Sequence, residues 1–118
     1  MALAPRLLLR AEGLVVLAGA GLAYRHLGGP WLLFAALFLA PDLSMAGYLL
    51  GPKAGARIYN LGHTYVSPLA VGAAAHLAHE ALLLLLCVIW IAHIGFDRTL
   101  GYGLKYETAF RDTHLGRV

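Results

Sequence analysis

The stretch WIAHIGFDRTLGYGLK, running from Trp90 to Lys105, begins as membrane-spanning sequence and ends as a charged tail. His93 and Asp97 fall inside the transition. Residues four apart on a helix share a face, so this imidazole and this carboxylate can touch. Ionisable groups at such depth are rare, and where they occur they are paired or functional. The rest of the chain is therefore read by asking which groups can meet this pair.

Composition sets the environment. The chain has 118 residues, 60% hydrophobic and 13% charged, with a mean hydropathy of +0.72, against about 25% charged residues in ordinary soluble domains. These values predict a single membrane domain over residues 1–118, with the lipid bilayer as its partner. The lone cysteine, Cys87, lies in an apolar run, so no intrachain disulfide can form and the thiol reads as a small core residue. A net charge of +3 and a pI near 9.3 raise the question of nucleic acid. The basic residues, however, flank apolar segments and form no stripe interleaved with aromatics, so no nucleic-acid partner is expected.

The predicted fold is all-α, a four-transmembrane-helix bundle with helices over about 7–27, 31–50, 53–75 and 81–101 and a short polar tail over 102–118. Arg6 and Arg10 ahead of an apolar stretch, followed by Ala18-Gly19-Ala20, mimic a secretory signal, but the first segment is expected to be retained. Gly28-Gly29-Pro30 opens the second segment and Gly51-Pro52 closes it. Pro41 inside it removes a backbone hydrogen bond and crowds the carbonyl of Leu37, which predicts a kink or local unwinding beside Asp42. In the third segment Asn60, His63, Thr64 and Ser67 share one helical stripe, and Pro68 follows, crowding the carbonyl of Thr64. Tyr24, Trp31 and Tyr102 fit interfacial anchoring.

Orientation follows from the basic residues. Four spans put Arg6, Arg10, Lys53, Arg57, Arg98, Lys105, Arg111 and Arg117 on one side and Arg25 on the other, which predicts both termini in the cytoplasm of a multi-pass plasma-membrane protein. At 1.5 Å per residue, Glu12, Asn60, His93, Asp42 and His63 then lie about 9 to 15 Å inside the cytoplasmic edge, and Asp97 about 6 Å. Every span contributes a polar group to one layer. Left ionised and facing lipid, Glu12, Asp42 and Asp97 together would cost roughly 7 to 10 kcal/mol, so they must turn inward and be protonated, paired, hydrated or bound to a cation.

Two histidines with two or three carboxylates suit a divalent zinc, manganese or iron ion. His63, His93, Asp42 and Asp97 are the candidate ligands and the candidate catalytic residues, with Glu12 a further candidate. Asp97 has a second reading, as a carboxylate that fixes the tautomer of His93. Two metal-free readings stand beside these: the polar layer as hydrogen-bonding glue between helices, or as a proton- or cation-handling site. His76 and His79 read as an exposed pair at a turn, and Asp112 and His114 as a solvated tail or a lid over the cytoplasmic opening.

Taken together, PDLSMAGYLLGP, YNLGHTY, AHIGFDRTLGYGLKY and FRDTHLG resemble the bacterial membrane family known as the domain-of-unknown-function 4260 family, over about Arg10 to Gly116. The resemblance implies a small integral membrane protein of about four helices with no established activity. On its motifs the polar positions are Asp42, Asn60, His63, His93, Asp97, Arg98, Asp112 and His114. A fainter likeness is to membrane-bound metal-dependent hydrolases, which similarly pair a Pro-Asp in one helix with a His-Thr in another. Pro41-Asp42 and His63-Thr64 match that pattern, while Ser44 replaces its second aspartate.

These features leave three functions to compare: a hydrolase acting on a lipid or another amphipathic substrate, a proton or cation path, and an accessory protein held together by its polar layer. The chain has no G-x-S-x-G nucleophile motif. A transport role for so few spans would require a homo-oligomer.

Overall fold

In a computed structural model that describes residues 5–107 and 110–117, all the regular elements are helical. Positions 108, 109 and 118 of the expected tail, and the first four positions of the chain, lie outside the described residues. The order is α1 (Pro5–His26), α2 (Trp31–Leu37), a run of 3-10 turns over Ala40–Leu50, α3 (Pro52–His63), α4 (Val66–Leu77), α5 (Ala81–Leu100) and α6 (His114–Arg117). Among the described residues, three stretches are long and apolar enough to cross a membrane: Pro5–His26, Trp31–Leu50 and Ala81–Leu100.

Exposure runs opposite to that of a soluble protein. Leu49 is 90% exposed and Leu32 82%, whereas His63 and His93 are wholly buried. Apolar side chains outside and imidazoles inside is the arrangement expected where the surrounding solvent is hydrocarbon.

α1 and α5 run antiparallel with their backbones almost touching. A Cβ on Gly95 would lie 2.8 Å from the Gly13 carbonyl oxygen and from the Leu17 nitrogen, so only glycine permits this approach. Arg10 Nε donates to the Thr99 carbonyl at 2.9 Å. Farther along the same seam, Ala20, Tyr24, Val88, Ile89 and Ala92 form the apolar core. Tyr24, expected at the membrane interface, is instead fully buried there, its hydroxyl donating to the Pro30 carbonyl at 2.7 Å. From Tyr24 the rings of Phe34 and Phe38 lead to His93, each centroid 5.1 to 5.6 Å from the next.

The expected unwinding near Pro41 is present, since α2 ends at Leu37 and the chain tightens into 3-10 turns from Ala40. A single helix over 53–75 does not form. Thr64 is extended (φ −100°, ψ 142°) and divides the segment into α3 and α4, each of 12 residues, or about 18 Å. Neither is long enough to cross a bilayer alone. Pro68 offers no N–H to the Thr64 carbonyl and crowds it, which favours the break. A break also strips the last carbonyls of α3 of helical donors, a large cost away from water. Here α5 supplies replacements: Trp90 Nε1 donates to the Gly62 carbonyl at 2.6 Å and Arg98 Nη2 to the His63 carbonyl at 2.8 Å.

α3 folds back along the 3-10 run, with Gly47 against Ile58 and Gly62 against Ser44, and α4 packs on the first half of α5 where Gly72 meets Cys87. α5 ends at Gly101 in the left-handed conformation (φ 96°), with the Tyr102 amide donating to the Asp97 carbonyl at 2.8 Å. This glycine-capped end turns the tail back over the helices. Asn60, expected as glue between helices, ties down the tail: Nδ2 donates to the Lys105 carbonyl at 2.8 Å and Oδ1 accepts from the Lys105 amide at 2.7 Å. Arg98 and Lys105, read from the sequence as flanking charges, are both buried.

Candidate functional site

Four side chains from three elements converge. Asp42 comes from the first 3-10 turn after Pro41, His63 from the last residue of α3, and His93 and Asp97 from successive turns of α5. Each element is irregular or terminating at the residue it contributes, except α5, which presents its pair at the spacing of four read from the sequence. Asp42 Oδ1 lies 3.1 Å from Nε2 of both histidines. Asp97 Oδ2 lies 3.3 Å from His63 Nε2 and 3.1 Å from His93 Nε2. The two Nε2 atoms are 3.2 Å apart, and all four donor atoms lie within 4.8 Å of one another.

Glu12, the fifth candidate, is exposed on α1 and does not join this group. Asp97 meets the Nε2 of His93, the atom that faces the cluster, so the same contact serves either reading: a shared ion, or a carboxylate that fixes the tautomer by accepting from Nε2–H. His76 and His79 are exposed beside the α4–α5 turn, as expected.

Proton accounting shows what the cluster can do. His63 Nδ1 faces the Tyr59 carbonyl at 3.0 Å, and a carbonyl can only accept, so this nitrogen carries the hydrogen. In neutral His63 the Nε2 lone pair therefore points at His93, Asp42 and Asp97. Stacking of the His63 ring on Tyr59, at 3.8 Å between centroids and 6° between planes, holds it in that attitude. The Nε2 atoms of the two histidines cannot both bear hydrogens toward each other across 3.2 Å. Two ionised carboxylates within 4.8 Å repel by at least about 3 kcal/mol at an effective dielectric near 20. A cation placed among the four atoms gives each of them a partner at once.

Five of the six edges of the donor set match a metal site in size. A tetrahedral shell at about 2.0 to 2.1 Å has edges of about 3.3 to 3.4 Å; five separations lie between 3.1 and 3.3 Å, and the sixth, between the two carboxylates, is within 4.8 Å. Nδ1 of His93 is buried with no hydrogen-bond partner among the described residues. The His93 ring is instead located by packing, edge-on to Phe38 at 5.6 Å.

Asp42 is the accessible edge of the cluster, with its side chain 34% exposed against 11% for Asp97. Both carboxylates line a cavity of about 280 Å³, shared with Tyr59, Tyr102, Lys105 and Phe110 and roofed by the returning tail. The tail is closed by its own bonds: Leu104 N–H donates to His114 Nδ1 at 2.7 Å, His114 N–H to the Leu104 carbonyl at 2.8 Å, and Arg117 pairs with Asp112. Burial lowers the pKa of the Lys105 ammonium and of the His114 imidazole, with Arg98 pushing His114 the same way.

Sequence reasoning gave no structural role to Trp90, Arg98 or Lys105. The first two complete the broken end of α3, and the third lines the cavity. One signal was available for Trp90: it lies three residues before His93 and seven before Asp97, on the same face of α5.

The fold and site together define a helical protein with the apolar exterior of a membrane protein and a buried His/Asp cluster within it. Its sequence matches, over residues 6–118, the model of the family described as Domain of unknown function (DUF4260), and the chain belongs to that family. No curated protein and no solved structure matches it.

Proposed function

We propose that this protein is a four-pass membrane protein that holds one divalent transition-metal ion, zinc first, between Asp42, His63, His93 and Asp97, and uses it to hydrolyse an amphipathic substrate. The observation that carries the reading is the convergence of two imidazole Nε2 atoms and two carboxylate oxygens within 4.8 Å, next to a cavity. In this reading α3 and α4 together make the third pass, with both termini on the cytoplasmic side. The basic residues support that orientation.

A bound ion would supply Lewis-acid polarisation of a substrate oxygen by accepting it as one donor beyond these four. The chain's own groups do the rest. His63 and His93 are neutral donors held by stacking and packing, Asp97 is the buried charge that balances the ion, and Asp42 faces the cavity. The cluster engages Oδ1 of Asp42, so its other oxygen is the group offered to take a proton from attacking water and return it to the leaving group. Water's hydroxyl joins the acyl or phosphoryl centre, and its proton departs with the alcohol.

Elemental analysis of protein purified in a neutral detergent tests the metal. One ion per chain, lost in His63→Ala and His93→Ala with helix content retained, supports the proposal. No stoichiometric ion, with unchanged unfolding in chelator, overturns it.

One observation favours the glue reading as the alternative: Trp90 and Arg98 already show α5 side chains tying off the end of α3. Under that reading His93→Ala unfolds the protein equally with and without added zinc.

A further inference from the structure

Lys105 is the feature of the cavity that a metal centre by itself does not require. The residue is buried, 9% exposed, on a segment that leaves the membrane region. Nζ donates to the Phe110 carbonyl at 2.7 Å and lies over two ring faces, 3.6 Å from the centre of Phe110 and 4.6 Å from that of Tyr59. An ammonium has three donors, of which this carbonyl takes one. A buried lysine held by one neutral acceptor and two rings is costly unless a counter-charge is near.

The charges around the cavity show which ligand suits it. Two carboxylates against Lys105 and Arg98 sum to zero. With a divalent ion among Asp42, Asp97 and the two neutral histidines the cluster itself becomes neutral, and the two cations are left unbalanced. Arg98 is committed to the carbonyls of His63 and Tyr102 at 2.8 and 3.2 Å. Lys105, which lines the cavity with Asp42 and Asp97, therefore stands as the available positive group.

Resting on the metal reading above, we infer that the ion-loaded cavity binds an oxyanion, a phosphate or phosphate monoester, between the ion and the Lys105 ammonium. The cavity's 280 Å³ is roughly the volume of nine waters, ample for a phosphoryl group. The ligand can be free phosphate or the headgroup of a lipid. Pro41, next to Asp42, also lines an apolar groove of about 290 Å³ with Leu37, Leu86, Ile89 and Trp90, which gives a hydrocarbon chain a place to lie.

The test uses the full chain in neutral maltoside detergent, loaded with zinc and freed of excess metal by gel filtration. Inorganic phosphate and dodecyl phosphate are titrated by calorimetry. Binding of either supports the proposal. Dodecyl phosphate binding at least about tenfold tighter identifies the source as a headgroup, and equal affinities identify free oxyanion. Lys105→Met should weaken binding about tenfold or more while zinc content stays at one per chain, and Lys105→Arg should restore most of the loss. In the unaltered protein, binding should depend on zinc, which keeps the test decisive even if Lys105→Met misfolds. A zinc-loaded protein that binds neither anion, or a Lys105→Met protein that binds as the parent does, overturns this inference alone. Failure to take up zinc overturns it together with the metal reading.

Discussion

α5 serves two neighbours in opposite ways. Toward α1 it offers Gly95 and a row of small and aliphatic residues, and the two helices meet along an unbroken seam. Toward α3 it offers Trp90, His93, Asp97 and Arg98, and the partner there is interrupted. The difference teaches what each surface is for. A seam between regular helices satisfies its backbone internally and needs only close packing. A broken helix must borrow donors from its neighbour, and the distortion that makes borrowing necessary also brings the last residue of α3, His63, to the cluster.

The largest effect is expected on the regular side. Gly95→Leu would force a side chain into the α1 backbone, where even a Cβ sits 2.8 Å from the Gly13 oxygen. Overpacking of this kind costs about 3 kcal/mol or more, to be read from unfolding in mixed micelles by circular dichroism. Gly72→Ala is the control: its Cβ would meet Cys87 at 3.4 Å, an ordinary contact, and stability should stay within about 0.5 kcal/mol. Equal effects of the two substitutions would break the distinction between a seam that demands glycine and a packing surface that tolerates alanine.

A smaller effect with a different signature is expected on the irregular side. Trp90→Phe keeps an aromatic ring, though a smaller one, and removes the N–H that serves the Gly62 carbonyl, at about 1 to 3 kcal/mol for the orphaned acceptor. Because Gly62 precedes His63, zinc affinity should also fall, by about 10- to 100-fold as for other groups that orient metal ligands. Gly95→Leu, measured where it is still folded, should leave zinc affinity nearer the parent value. A Trp90→Phe protein with lowered stability and unchanged zinc affinity would show that the break and the cluster are independent.

The same contrast governs how far the sequence could be read. His93 and Asp97 were legible as a pair because α5 is regular and a spacing of four has one meaning on a helix. Asp42 and His63 were legible as polar groups at matching depth, since burying a charge in lipid is too costly to be accidental. The unwinding at Pro41 followed from proline geometry. The break at Thr64 did not, although Pro68 was noted, because a proline is compatible with either a kink or a rupture and the choice depends on donors from another helix. Lys105 was misread for a related reason. A lysine just past a span normally marks the watery side, and only the return of the tail buries it. Glu12 had the right depth but is exposed on α1, and depth alone carries no information about helix rotation.

The smallest effect concerns the tail, which is held by hydrogen bonds and an ion pair and not by a seam or a ligand set. His114 Nδ1 accepts from the Leu104 amide, which requires an unprotonated nitrogen. Burial and Arg98 hold its pKa below the ordinary value of 6.5. Between that lowered value and 6.5 the undocked tail binds more protons than the docked one, so docking strengthens as pH rises through this window. Its contribution is complete above the ordinary value and is lost as pH falls below it. Lys105, also lowered by burial, has the same sign, but its window lies in the alkaline range. Hydrogen exchange at the Leu104 and His114 amides, corrected for intrinsic rates, should therefore quicken from pH 7 to pH 5. His114→Gln, which cannot titrate, should flatten the profile. An identical pH profile in the two proteins would mean that the tail is held by Asn60 and Lys105 without help from His114, and the closure over the cavity would then be insensitive to mild acid.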